Sequence, residues 1–386
     1  MPVTVTLQQA NRFTMARHGL LDRAWRDPVA AAGNLCGLHA QVPTTPPLSL
    51  WCRLADFDRI TLDAALYRQR SLVKRWLMRG TLHLVPMRDL PIYHRALQRA
   101  WGKSWGRYLA RRQRTTPAER EARLYPVALA ALDDGSLSRQ AWRDRVQAQL
   151  DPAGRDEDGF FADWSGYVKE MTYQGLVVYA EPQGVEVCFA RADRWLPAEV
   201  LEAAGATGEE AARRELLLRY LATYGPATVQ DAAYWSGLKV SEMRSVLHEL
   251  EPHLVEVTVE GQRGRYWLCR QDVPALLDTG TAQPVPLRLL PRFDPLLLGH
   301  KDKRRILNPA HRSRVFRPAG EVTATLLVDG RVAASWRTAR ERQTLAIILR
   351  PFASLPVDVL DQCQREGTSL ASFMGLQNVR LEVVEE

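Results

Sequence analysis

Between residues 209 and 277 the chain is punctuated so closely that few folds can accommodate it. EEAARRELLLRYLATY has helical spacing and stops at Gly225-Pro226. Thr228 is placed to cap TVQDAAYWSGL, which closes at Gly237, and Ser241 opens SEMRSVLHELEPHL. From Leu254 onward, LVEVTVE and RYWLC read as two strands on either side of the turn GQRG. Three short helices followed by a two-stranded wing predict a winged helix-turn-helix unit, with residues 241–251 in the recognition-helix position.

The same order of elements recurs twice upstream, at low sequence identity. One copy has helices over residues 117–132, 137–150 and 163–175, the last around Trp164 and Tyr167, and a wing over 176–190. The acidic, Gly-containing residues 151–159 read as a loop between helices. The other copy has helices over 7–20, 28–38 and 61–67 and strands near 72–76 and 80–85. Past Pro284, VPLRLLPRF, EVTATLLVDG, RVAASWRTAR and QTLAIILRPF alternate or run apolar. They predict a small antiparallel sheet or partial barrel, finished by a helix over about 356–366. The expected fold is mainly α with α+β winged-helix units. Three tandem units occupy residues 1–115, 116–207 and 208–282, and 283–386 form a C-terminal antiparallel β-domain. A chain of 386 residues is long enough for this division.

A site is signalled by Leu38-His39-Ala40-Gln41-Val42-Pro43. Residues 28–38, PVAAAGNLCGL, read as a helix with Pro in its first turn. Val42 precedes Pro43 and is biased towards extended backbone, and Pro46-Pro47 predicts that no helix resumes. With the break near His39, His39 and Gln41 share one face of an extended segment. That arrangement suits the positioning of a water beside a substrate. A His and a Gln at a helix end also serve as a cap or a satisfied buried pair, so the motif gains weight only from the rest of the chain.

The formal charge of +8 suggests a polyanionic partner. Arg outnumbers Lys 46 to 6, a bias that codon usage in a GC-rich genome would also produce, so the location of charge matters more than its total. No acidic residue lies between Asp89 and Glu119, where Arg95, Arg99, Lys103, Arg107 and Arg111 recur every four residues. On a helix they make one basic ridge, with Trp101, Trp105 and Tyr108 to anchor it. Residues 301–317 carry seven basic residues, including Lys301, Lys303, Arg304 and Arg305, against the single Asp302. Each segment reads either as a phosphate-binding surface or as a solvated face.

Cys36, Cys52, Cys188, Cys269 and Cys363 are scattered, never in a CxxC pair, and fit reduced thiols better than a disulfide framework or a zinc site. The start of the chain lacks a basic-then-apolar signal pattern, and no apolar run is long enough for a membrane span, so a cytoplasmic location is expected. Paired carboxylates, a phosphate-cradling Gly loop and a GxSxG elbow are all missing, which argues against most other hydrolase and transferase chemistries. No metal or cofactor is expected.

Four segments resemble the AlkZ/YcaQ-like winged-helix DNA glycosylases, bacterial enzymes that remove alkylated bases. They are GLHAQVP (residues 37–43), RWLMRGTLHLVP (75–86), YLATYGPATVQDAAYWSGL (220–238) and LLPRFDPLLLGHKDKRRIL (289–307), in family order over nearly the whole chain. The best-known members have Gln-apolar-Gln, and others Gln-apolar-Asp, where this chain has His39-Ala40-Gln41. The resemblance implies a concave monomer around duplex DNA and places the catalytic role on His39 and Gln41.

The implied substrate needs little from the protein. An alkylated purine of the kind this family processes is cationic and leaves as a neutral base, without a strong general acid or a lysine nucleophile. What remains is to orient a water and stabilise an oxocarbenium ion. Gln41 can accept a hydrogen bond from that water, and a neutral imidazole at His39 can accept its proton or only hydrogen-bond. The implied activity is that of a monofunctional glycosylase, acting on simple alkyl or bulky genotoxin adducts or crosslinks. Asp294, a carboxylate in an apolar loop, either pairs with Arg292, caps backbone or supports the site. Arg79 either supports the site or, with His83, braces the first unit. The competing class is a non-enzymatic winged-helix regulator or architectural DNA binder, against which three units in one chain argue, since such regulators usually carry one unit per subunit and act as dimers.

Overall fold

The computed structural model of the chain describes residues 2–112, 116–150, 166–278 and 285–384. It is helix-rich with several small sheets. Two compact units divide it, one built from residues 1–62 with 217–386 and the other from 63–216. No helix among the described residues is long and apolar enough to cross a membrane.

In the first unit, the predicted helices after Gly225-Pro226 form at Val229–Ser236 and Val240–Leu250. The Thr228 hydroxyl accepts the Asp231 amide at 3.1 Å, and Gly237 ends the helix at φ 80°, a conformation that favours glycine. Ser241 does not open the next helix. Lys239 takes the cap position, because the Glu242 carboxylate accepts its amide at 2.9 Å. Leu254–Val259 and Tyr266–Cys269 pair antiparallel as the predicted hairpin. A third strand, Val3–Val5, pairs parallel with Leu254–Val259, although only the V-T-V-T alternation signals it.

The C-terminal sheet runs through Arg288–Leu290, Thr325–Val328, Arg331–Glu341 and Thr344–Pro351 as antiparallel neighbours. It is not purely antiparallel as expected. Helix Val357–Phe373 crosses back, and Asn378–Val383 adds a parallel edge strand to Thr344–Pro351. The helix expected to end near Glu366 runs on to Phe373. Gly367 lies against the sheet, where an added Cβ would come within 2.6 Å of Ile347 Cδ1.

The second unit has the antiparallel strands Leu72–Trp76 and Leu82–Pro86, the long helix Leu90–Arg112, and the hairpin Val177–Gln183 with Glu186–Arg191. Trp142, Tyr125, Tyr167, Met171 and Phe189 centre its core. Glu170 is buried there and takes Arg120 at 2.8 and 3.0 Å, with the Tyr125 hydroxyl as a further donor. The helix expected over 163–175 is described as Tyr167–Gln174; Trp164 and the expected loop 151–159 lie outside the described residues.

Packing around the motif LLLGHKD yields a test of this fold. A Cβ on Gly299 would stand 2.1 Å from Tyr224 Cδ1, so Gly299→Ala should cost about 1–3 kcal/mol by overpacking. Gly205→Ala, in a helix with open space, should be neutral or stabilising. Urea denaturation midpoints of the two variants check both outcomes.

Candidate active site

The segment that carries His39 and Gln41 is shaped from both ends. Asp27 caps helix Pro28–Asn34 by accepting the amides of Val29 and Ala30 at 3.0 and 3.1 Å, with Pro28 in the first turn. The helix stops at Asn34, earlier than predicted, because Cys36 (φ 54°) and Gly37 (φ 103°) are left-handed. Cys36 is held in that strained conformation by its thiol, which donates to the Arg219 carbonyl at 3.3 Å and contacts Thr223 Oγ1 at 3.2 Å. Leu38–His39 is then extended and residues 41–42 bend.

Contrary to expectation, a helix does resume, over Thr45–Trp51. Pro46 and Pro47 sit in its first turn, where no amide is needed for an intrahelical bond.

His39 is buried, and its ring stacks on Phe293 with centroids 4.6 Å apart and planes 15° from parallel. Gln41 is half-buried. Phe293 is itself left-handed, at φ 57°, and both its neighbours are anchored. Before it, the Arg292 carbonyl accepts the Thr45 hydroxyl at 3.1 Å, and the Arg292 side chain pairs with Glu321. After it, Asp294 accepts Arg53 through two parallel bonds of 2.8 and 2.9 Å and caps the Leu296 amide at 3.0 Å. Arg53 and Asp294 are both fully buried.

Arg53 also donates to the carbonyls of His18 and Ser49, each at 2.9 Å. Burial alone would lower its pKa, but the adjacent Asp294 carboxylate outweighs that and raises it. Asp294 therefore pairs with Arg53 rather than Arg292, and it also caps a helix. Sequence reasoning missed Arg53 and Phe293. The signal for Arg53 was available: in LSLWCRL it is a lone charge among apolar residues, as Asp294 is in its own loop, and each needs a partner.

The model of the DNA glycosylase AlkZ-like family matches residues 32–373, most of the chain and both sides of this site. The chain belongs to that family. It is 28% identical over 389 residues to the interstrand DNA cross-link repair glycosylase of Streptomyces sahachiroi, covering 98% of this chain and 99% of that protein. The solved structure of the Streptomyces sahachiroi DNA glycosylase AlkZ superposes with a TM-score of 0.83 at 26% identity, covering 99% of this chain and all of that one. The protein is thus a DNA glycosylase and a DNA-binding repair enzyme.

In this AlkZ-like glycosylase the two basic segments differ from their sequence reading. On helix Leu90–Arg112 the ridge is not uncompensated. Arg95 donates to the Thr207 carbonyl at 2.9 Å, and Glu209 lies 3.6 Å from Arg99, so the fold supplies an acid that the local sequence lacks. Arg107 is exposed, while the side chains of Lys103 and Arg111 lie outside the described residues. Trp105 and Tyr108 stack at 4.8 Å and pack on the second unit's core, as the anchoring role requires.

In the second segment, Lys303 and Arg305 are buried. Lys303 donates to the Leu297 carbonyl at 2.7 Å and to that of His300; Arg305 donates to Pro226 O at 2.6 Å and Ala10 O at 3.1 Å. Their donors are committed internally, so the structure does not present them on the surface as the expected phosphate contacts require. Lys301 and Arg304 remain exposed. Arg79 belongs to the second unit, in the turn Met78–Gly80 at φ 53°, and His83 Nδ1 lies 2.9 Å from the Thr81 carbonyl.

Two predictions follow from these buried charges. Asp294→Asn leaves Arg53 without its counter-charge and should destabilise the protein by about 3–5 kcal/mol, whereas the apolar pair Arg53→Met with Asp294→Leu should recover most of that loss. Urea unfolding of both proteins decides it. His18 and His300 are held neutral. Burial, then Arg53 and His300, lowers His18 well below 6.5, and burial, then Arg305, lowers His300 to about 4. Between about pH 6.5 and 4 the unfolded chain binds protons that the folded one refuses, so stability present above this window should fall as pH drops through it. Melting temperatures over that range should show the decline, and His300→Gln should flatten it.

Proposed function

We propose that the protein hydrolyses the N-glycosidic bond of alkylated, cationic purines in duplex DNA. The observation that carries this reading is the placement of His39 and Gln41 at one kinked, extended segment, with the His39 imidazole packed flat on an anchored Phe293. Gln41 orients a water through its amide carbonyl, and His39 takes a proton from that water as neutral imidazole. The water oxygen forms a bond to the anomeric carbon as the bond to the base nitrogen breaks. The base keeps the bonding electrons and leaves neutral. The developing oxocarbenium ion needs no amine nucleophile, so the activity is monofunctional. Phe293 restricts the imidazole to one plane, which limits the entropy lost in aligning it.

The name of the Streptomyces sahachiroi relative, an interstrand cross-link repair glycosylase, supports bulky adducts or crosslinks as substrates of this chain. Helices followed by an antiparallel hairpin, Leu72–Trp76 with Leu82–Pro86, Val177–Gln183 with Glu186–Arg191 and Leu254–Val259 with Tyr266–Cys269, support three winged-helix modules, over residues 1–115, 116–207 and 208–282, ahead of the β-domain 283–386. The reading is completed by a monomeric, cytoplasmic enzyme that contacts phosphates through exposed residues of the two basic segments, such as Arg107, Lys301 and Arg304.

Gln41→Ala should reduce single-turnover base release from alkylated duplex by roughly 10²–10³-fold, the scale for one preorganised polar group, and leave affinity for undamaged duplex nearly unchanged. Excision by the unmodified protein should decline as pH falls between about 8 and 5, where imidazoles titrate, and His39→Gln should flatten that profile. Matching profiles would reduce His39 to a hydrogen-bonding neighbour, and full activity in the double alanine variant would refute the site.

A further inference from the structure

An open cleft of about 580 Å³ in the first unit is lined by the wing turn, residues 301–304 of the GHKDKR loop, Thr228, Asp231 and Tyr266. Residues 301–305 alternate in how they use their charge. Lys303 and Arg305 are rivets, buried and bonded to carbonyls as described. Lys301 and Arg304 are exposed on the same short loop. The loop is fixed further by the Lys301 amide, which donates to Asp231 Oδ1 at 2.7 Å. The Asp302 carboxylate accepts the Arg304 amide at 3.0 Å and pairs with its guanidinium.

On the same cleft, Arg263 is exposed in the turn between Leu254–Val259 and Tyr266–Cys269. Arg312 is exposed at the start of Arg312–Val315, its guanidinium carbon 5.1 Å from the Phe316 ring centroid. Among the described residues, Arg263, Lys301 and Arg312 have no ion pair. The two acids that line the cleft are already engaged, Asp231 by the Thr228 and Lys301 amides and Asp302 by Arg304.

Three uncompensated cations therefore face one open cleft on a rigid frame. An enclosed single anion would be met by buried donors. Long exposed side chains spread around an open cleft match a chain of evenly repeated charges.

We propose that this cleft grips the phosphodiester backbone of one DNA strand, with Arg263, Lys301 and Arg312 each contacting phosphate. The wing residue Arg263 lies outside both basic segments and is new to the DNA surface, and Arg312 is a further exposed residue of segment 301–317 that shares the cleft with it. The assignment rests on the protein's being a DNA glycosylase and not on the roles of His39 and Gln41.

The experiment measures binding of an undamaged duplex by fluorescence anisotropy at several salt concentrations, for Arg263→Glu, Arg312→Glu and the double variant. Arg380→Glu serves as a control with the same change of charge, since Arg380 is already paired with Glu341 and Glu382. Each cleft reversal should weaken binding several-fold and lower the slope of log affinity against log salt by about 0.9 per lost contact, while Arg380→Glu stays near the unmodified protein. Inorganic phosphate should compete no better than chloride of equal ionic strength. An unchanged slope in the double variant would overturn the proposal. So would saturable competition by inorganic phosphate, which would mark a small-anion pocket. Thermal melts and the milder Arg263→Gln and Arg312→Gln, expected to show a smaller loss in the same direction, separate lost contacts from lost folding. Because excision is not scored, a failed hydrolytic mechanism leaves this result intact, and the converse also holds.

Discussion

The two parallel bonds between Arg53 and Asp294 set the geometry of the candidate site. Neither residue is reachable by solvent, and a buried pair of this kind contributes little net stability over well-packed apolar side chains. What it supplies is position. Arg53 joins the end of helix Thr45–Trp51 to His18 and to the loop at Asp294, while Asp294 starts the next helical turn. The residue between those anchors and the Thr45–Arg292 bond is Phe293, whose ring lies against His39. A bidentate guanidinium–carboxylate pair tolerates little rotation, so the aromatic ring inherits its precision.

Two of the left-handed non-glycine residues flank this site. Cys36 and Phe293 both adopt positive φ without being glycine, one on each side of the motif. Each such residue costs on the order of 1 kcal/mol and persists only where the surroundings over-determine it. Here those surroundings are the Cys36 thiol's contacts and the Arg53–Asp294 pair. The strain turns the chain sharply before His39 and presents a flat aromatic face to it.

Charge on this protein divides into structural and exposed sets that composition does not separate. Lys303 and Arg305 satisfy carbonyls in the interior, whereas Lys301 and Arg304, on the same loop, face solvent. On helix Leu90–Arg112, Glu209 sits beside a ridge that has no acid within its own stretch of sequence. A long cation can serve either role, because its aliphatic stem packs in the interior as readily as along a surface.

Much of the architecture was legible because the signals are local. Thr228 and Gly237 bound a helix through caps within three residues, and the alternation around GQRG makes a hairpin whatever packs against it. The segments around His39, Phe293 and the GHKD loop were likewise identifiable as family motifs. Other features depended on distant partners. Helix Val357–Phe373 runs past its expected end, with Gly367 packed against Ile347, and Pro46-Pro47 reads as a barrier until they are found in a first turn. The V-T-V-T strand needed residues 254–259 to pair with, and Arg53 needed a carboxylate 241 residues away. The sequence by itself determined the locally capped helices, the hairpin, the motif and the basic segments, since caps, turns and periodicity act over a few residues. Only the tertiary structure decided which charges are buried, which ring meets His39 and which cations share a cleft, because burial and pairing are set by contacts between residues far apart in the chain.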